Sequence, residues 1–206
     1  MQENNNQNIE QQPEQNTFEK KEKNAFTKAL LEQVELVVIF FAVMILIFSF
    51  TCRTCKVDGD SMLNTLHNEE TVLIWDLFYK PNYGDIVVVH DNNQLNKPIV
   101  KRVIALSGDT VKIEHYLTSM KVTVQHSDGT VDILDEDYIR YDASSGGLSY
   151  YTAAQTYVVE EGEVFVMGDN RLDSLDSRLL GCYDTRQILG KVVFRLMPFN
   201  KIGTVN

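Results

Sequence analysis

The sequence has no glycine-x-serine-x-glycine elbow, which disfavours the hydrolases built on that strained strand-to-helix turn. It has three cysteines, Cys52, Cys55 and Cys182, too few to frame a domain with disulfides. Cys52 and Cys55 have C-x-x-C spacing, but no βαβ pattern surrounds them and no clear fourth ligand completes a zinc site. They are expected to be thiols close to a membrane, with a local disulfide or a Cys55–Cys182 bridge left open for an oxidising compartment. The four histidines, His67, His90, His115 and His126, form no metal-spaced cluster, and nothing selects one of them for a Ser-His-Asp triad. There is no basic footprint. The net charge of −10 argues against a nucleic-acid partner and speaks otherwise only to solubility. A second long hydrophobic run is missing, and so is any long amphipathic helical pattern after residue 56.

The single apolar run covers residues 36–50 (LVVIFFAVMILIFSF) and has no charge. Extended to residue 52, it spans ~25 Å as a helix, at the low end for a ~30 Å hydrocarbon core. A buried core helix would carry a polar stripe, and this run has none. A cleaved signal peptide would need a short basic leader and a small-x-small site, whereas a long segment precedes the run and Ser49-Phe50-Thr51 is a poor site. Phe50 likewise does not suit a lipidated Cys52. The run therefore reads as a retained transmembrane helix over residues 36–52. Residues 1–16, almost all Gln, Asn, Glu and Pro, are expected to be disordered. Residues 17–35 are expected to form a juxtamembrane helix. Lys20, Lys21, Lys23 and Lys28 place that side in the cytoplasm and residues 53–206 outside.

After residue 56 the pattern turns to strands. T-V-L-I-W (71–75), D-I-V-V-V-H (85–90), P-I-V-K-R-V-I-A-L (98–106) and E-V-F-V-M (163–167) are rich in β-formers and bounded by turn signals. Shorter strands are read at 110–114, 121–125, 130–134, 157–159 and 190–196, with Ser127-Asp128-Gly129 as a hairpin turn. The fold class is mainly β, an antiparallel-sheet domain behind one N-terminal transmembrane helix. Residues 115–160 read as a variable insertion or subdomain, with an exposed Ser-, Gly- and Tyr-rich loop at 140–155.

Three stretches carry candidate chemistry. The first, K-V-D-G-D-S-M-L-N-T-L (56–66), sets Ser61 on a turn a few residues beyond the apolar run. In the second, alternation puts Ile99, Lys101 and Val103 on one strand face and Val100, Arg102 and Ile104 on the other. One cation must then face aliphatic side chains. Burial lowers the pKa of an amine and makes it a usable base near neutral pH. The competing reading is a strand edge with snorkelling basic residues. The third, G-D-N-R-L-D-S-L-D-S-R (168–178), follows a strand and reads either as a hydrogen-bonded structural loop or as a support that orients a lysine.

Together these stretches resemble the type I signal peptidases of peptidase family S26, over about residues 30–206. Gly59-Asp60-Ser61-Met62-Leu63-Asn64-Thr65-Leu66 resembles the nucleophile block, and Tyr83-Gly84-Asp85-Ile86-Val87-Val88 the substrate-strand block. Lys101 to Asp109 resembles the lysine block. Gly168-Asp169-Asn170-Arg171, with Ser174, Asp176, Ser177 and Arg178, resembles the last block. The resemblance implies a membrane-anchored serine endopeptidase that removes signal peptides from exported preproteins after small-x-small sites. Ser61 would be the nucleophile and Lys101 the general base. Ser174 would help position the amine, with Asp176, Arg178, Asp169 and Arg102 supporting. The Ser61 backbone N–H, with the backbone at Gly59 or a water, would bind the oxyanion. Val57, Met62, Leu66, Ile86, Val88, Ile99 and Val100 would line shallow pockets, and the substrate would add as a strand beside residues 84–88 or 98–101. Asn64 stands where the family usually has proline, which puts the stiffness of that turn in question.

The implied partners are signal peptides of secreted preproteins and the lipid bilayer of the plasma membrane, near the protein-export translocon. Neither a metal nor a nucleotide cofactor is required. Three alternatives fit less well. A self-cleaving Ser-Lys repressor protease would carry a DNA-binding segment in place of the anchor. A non-catalytic peptide-binding module would not need both Ser61 and Lys101, and a purely structural anchor would make the four blocks coincidence.

Overall fold

Val, Ile and Thr dominate the strands, as β-branched side chains pack well on a pleated surface. In this computed structural model residues 12–91, 94–116, 119–134, 137, 139 and 154–205 are described. The expected loop at 140–155 lies mostly outside them. The chain divides into two compact units, residues 1–50 and 51–206.

The first unit is the helix α1 (Gln12–Thr51). It begins inside the segment expected to be disordered. Gln12, Glu14 and Gln15 are good helix formers, Pro13 suits a first turn, and extending an existing helix costs far less than nucleating one. Residues 27–49 of α1 are long and apolar enough to cross a membrane. The helix ends at Thr51, so Cys52 is not its last residue but the first of a strand.

Among the described residues the second unit holds twelve strands: β1 (Cys52–Lys56), β2 (Thr71–Trp75), β3 (Ile86–Asp91), β4 (Lys97–Ala105), β5 (Thr110–His115), β6 (Met120–Gln125), β7 (Val131–Leu134), β8 (Gln155–Val158), β9 (Glu163–Met167), β10 (Tyr183–Asp184), β11 (Ile188–Met197) and β12 (Gly203–Thr204). A single helical turn, α2 (Ser177–Leu180), precedes β10. The large sheet runs β1-β2-β11-β3-β4-β9-β10, with β12 also on β11, and the small sheet runs β7-β6-β5-β8. Each of these pairings is antiparallel, so the expected mainly-β antiparallel class is the observed one. The β6–β7 turn needs the left-handed backbone of Gly129 (φ 89°), as a hairpin of this kind does.

The continuous apolar run of β3 has a physical cause. Its Ile86 and Val88 join one core cluster with Val57, Met62, Leu66 and Val100, while Val87 and Val89 join another with Ile99, Val103 and Tyr183. A strand covered on both faces has no reason to alternate with polar residues. A third cluster, including Ile104, Val111, Val122 and Phe165, packs the small sheet against β4 and β9. Lys101 and Arg102 are thus carried into the interior by a central strand, each only 3% exposed.

Candidate active site

Ser61 sits in a turn between β1 and β2 that is tied down at several points. Leu63 N–H donates to Asp60 O and Leu66 N–H to Met62 O, which starts a helical turn and drives Leu66 into the core. Asn170 N–H donates to Ser61 O (3.0 Å) and Asn170 Nδ2 to Asp60 O (3.2 Å). Thr65 Oγ1 donates to Asp169 Oδ2. This network, rather than a proline at Asn64, holds the turn.

Lys101 reaches the serine from β4, with Nζ 2.6 Å from Ser61 Oγ. Its pKa is lowered from 10.5 to about 8. Burial is the main cause, opposed by Asp176 and reinforced by Arg178; Asp169 raises it and Lys97 lowers it by less. Of the two readings open for this strand, burial is the one realised.

Two buried ion pairs flank the amine. Arg102 grips Asp169 with a fork, Nε to Oδ1 at 2.9 Å and Nη2 to Oδ2 at 2.8 Å, while its Nη1 donates to Gly84 O (2.8 Å). Arg178 grips Asp176 in the same way, both contacts at 2.7 Å. Such forks match guanidinium to carboxylate geometry and hold both planes in place. Burial alone would raise the Asp176 carboxyl, but the Arg178 charge, with hydrogen bonds from Arg178, Gly168 N–H and Ser174 Oγ, holds it below its usual range.

The Ser174 hydroxyl therefore donates to Asp176 (2.7 Å), and among the described residues it makes no hydrogen bond to Lys101. Its partner Asp176 acts on the amine through space, its charge raising the Lys101 pKa. Gly168 explains how the layers fit. A β-carbon there would collide with both the Ser174 hydroxyl and the Ser61 carbonyl, so only glycine lets this loop pass beneath the serine.

A cleft of about 200 Å³ opens beside Ser61 and Lys101, walled by Val57, Met62, Ile99 and Val100. This volume admits small side chains and is below the usual range for drug-sized ligands. Leu66, Ile86 and Val88 do not reach the cleft; they are fully buried behind Val57, Met62 and Val100. Position on the right face does not separate a lining residue from one a layer deeper. Cys55, Leu95 and Leu175 also line the wall and were not anticipated. All three cysteines are free thiols.

The expected strand-addition edges also separate. β3 is flanked by β11 and β4, so residues 87–88 have no open edge. β4 pairs with β9 only from Arg102 onward, so residues 98–101 face the cleft with no strand beyond them among the described residues. Gly59 N–H is engaged by Asn68 Oδ1 (2.9 Å) and is not a free donor. The Ser61 N–H has no acceptor among the described residues.

Similarity to known proteins identifies the family. The family described as signal peptidase, peptidase S26, matches residues 30–197. The chain belongs to the signal peptidase family S26. Signal peptidase I S of Bacillus subtilis (strain 168) is 35% identical over 190 residues, covering 87% of this chain and 95% of that protein. Signal peptidase IB of Staphylococcus aureus (strain N315) is 31% identical over 188 residues, covering 84% and 93%. A crystal structure of a signal peptidase I from Enterococcus faecalis V583 matches 56% of this chain and 98% of that chain at 28% identity, with a TM-score of 0.40. As a family member the chain is a serine endopeptidase. In this signal peptidase residues 61 and 101 lie on separate stretches of sequence, and the fold brings their side chains to 2.6 Å.

Proposed function

We propose that this signal peptidase is a membrane-anchored Ser-Lys endopeptidase that cleaves signal peptides from exported preproteins after small-x-small sites. The observation that carries the reading is the buried Lys101 amine, 2.6 Å from Ser61 Oγ and lowered to about 8. An amine with that pKa is partly neutral at physiological pH and can accept a proton.

The preprotein's extended segment lies in the cleft along residues 98–101, making main-chain hydrogen bonds to that open edge. Small side chains before the scissile bond fill the space between Val57, Met62, Ile99 and Val100. Neutral Lys101 takes the Ser61 proton as Oγ attacks the carbonyl carbon. The oxyanion is met by the Ser61 N–H, a type of donor whose loss costs ~10²–10³ in rate. The resulting ammonium gives its proton to the leaving amine, the C–N bond breaks and an ester on Ser61 remains. Lys101 then deprotonates a water, which hydrolyses the ester and restores the hydroxyl. Arg102–Asp169 and Arg178–Asp176 keep the amine aimed.

Residues 27–49 anchor the enzyme in the plasma membrane, with the N-terminus in the cytoplasm and the peptidase unit outside, beside the translocon that delivers its substrates. The test is cleavage of a preprotein by Ser61→Ala and Lys101→Ala in vesicles. Both are expected to lose turnover by several orders of magnitude, and near-normal turnover by either one overturns the dyad. Protease added to sealed cells should degrade residues 51–206 and spare the N-terminal tail.

A further inference from the structure

Thr65, in the Ser61 turn, is held both by its hydroxyl and by its carbonyl. Its hydroxyl donates to Asp169 Oδ2 (2.5 Å), the carboxylate forked by Arg102, the neighbour of Lys101. Its carbonyl accepts from Arg195 Nη2 (2.6 Å), a side chain that arrives from β11. The first contact ties the turn to the lysine strand, and the second ties it to the far side of the core.

Arg195 is itself held. Its Nε lies 3.0 Å from Glu70 Oε2, and Glu70 is only 3% exposed. The N–H is not aimed at that oxygen, so the contact is an ion pair rather than a hydrogen bond. Lys201 and His67 each approach the other Glu70 oxygen, at 3.5 Å. A carboxylate buried this deeply is retained only when its charge is matched. Leaving Glu70 surrounded by Arg195, Lys201 and His67 fixes where the guanidinium can sit, and one of its Nη2 N–H groups donates to Thr65 O.

We propose that Arg195 is a positioning residue for the Ser61–Lys101 pair: held by Glu70, it pins the Thr65 carbonyl and so sets how far the Ser61 turn stands from β4. The proposal rests on Ser61 and Lys101 acting as nucleophile and base. Arg195 touches neither the cleft nor the amine, and it is not among the groups that move the Lys101 pKa. Its influence on the reaction is through geometry alone, and a displacement of ~1 Å at a reacting pair can cost ~10²-fold in rate.

The test compares Arg195→Lys, Arg195→Met, Thr65→Val and the double variant Thr65→Val/Arg195→Met, as full chains in detergent micelles, assayed well below their melting temperatures. Lysine keeps a charge for Glu70 but lacks the second arm that reaches Thr65 O, so Arg195→Lys should fold even if Arg195→Met does not. Expected for Arg195→Lys is a kcat lowered about ten- to hundredfold with KM within about twofold. The double variant should lose less than the product of the two single losses, because both contacts hold one turn. A folded Arg195→Lys with wild-type kcat, or a loss confined to KM, overturns the proposal. Ser61→Ala run alongside separates the two claims. Its retained activity would overturn the dyad reading, whereas its inactivity together with normal kcat in Arg195→Lys would overturn only the clamp.

Discussion

Lowering the pH from about 9 to about 6 should disable the enzyme in proportion to the neutral fraction of Lys101. With a pKa of about 8, the amine is ~90% neutral at pH 9, ~50% at pH 8 and ~1% at pH 6. The expected fall in kcat/KM is therefore about ninetyfold, close to tenfold per pH unit below pH 7. The assay is kcat/KM for a peptide spanning a small-x-small site, measured from pH 6 to pH 10 in detergent micelles, with far-UV circular dichroism at each pH to show that the protein stays folded. Charge neighbours supply an internal check. Lys97 lowers the Lys101 pKa, so Lys97→Met should move the acid limb to higher pH. A profile that is flat between pH 6 and pH 9 would refute the reasoning. So would a limb near pH 6.5, where an unperturbed histidine titrates, because the proton acceptor would then not be this amine.

The same shift makes a stability prediction. Lys101 titrates lower in the folded chain than in the unfolded one, so between about pH 8 and pH 10.5 the unfolded state binds more protons and folding stability rises with pH. Lys101→Met should be more stable than wild type at pH 7 by up to ~3 kcal/mol, with the gap closing toward pH 10.5, and a pH-independent gap in denaturant melts would contradict this. Gly168→Ala should cut kcat by at least ~10²-fold, since the added methyl displaces both the Ser61 carbonyl and the Ser174 hydroxyl; normal turnover would show that the loop gives way freely.

Much of the peptidase unit was legible because its strands follow local rules. The β2 and β9 boundaries coincide with T-V-L-I-W and E-V-F-V-M, and Ser127-Asp128-Gly129 does form the β6–β7 turn. β1 was not legible. C-R-T-C-K has little β-character of its own and becomes a strand by pairing with β2, from Cys52 opposite Trp75 to Lys56 opposite Thr71. The start of α1 at Gln12 was missed for a related reason, since composition describes an isolated segment and not one that continues a helix.

At the site, residue types and alternation marked the stretches around Ser61, Lys101 and 168–178 as candidates, and the family resemblance picked out the residues. They could not say who touches whom. Ser174 turned to Asp176, Gly59 to Asn68, and Leu66, Ile86 and Val88 into the core. Arg195 and Thr65 are 130 positions apart, and nothing in either neighbourhood announces their contact. Composition and periodicity act over a few residues, so they determined the long apolar helix and the β character and pointed to the stretches that hold Ser61 and Lys101, whose roles came from the family resemblance. Burial depth, the lowered amine and the partners of each charge depend on packing between distant strands, and only the folded chain decided them.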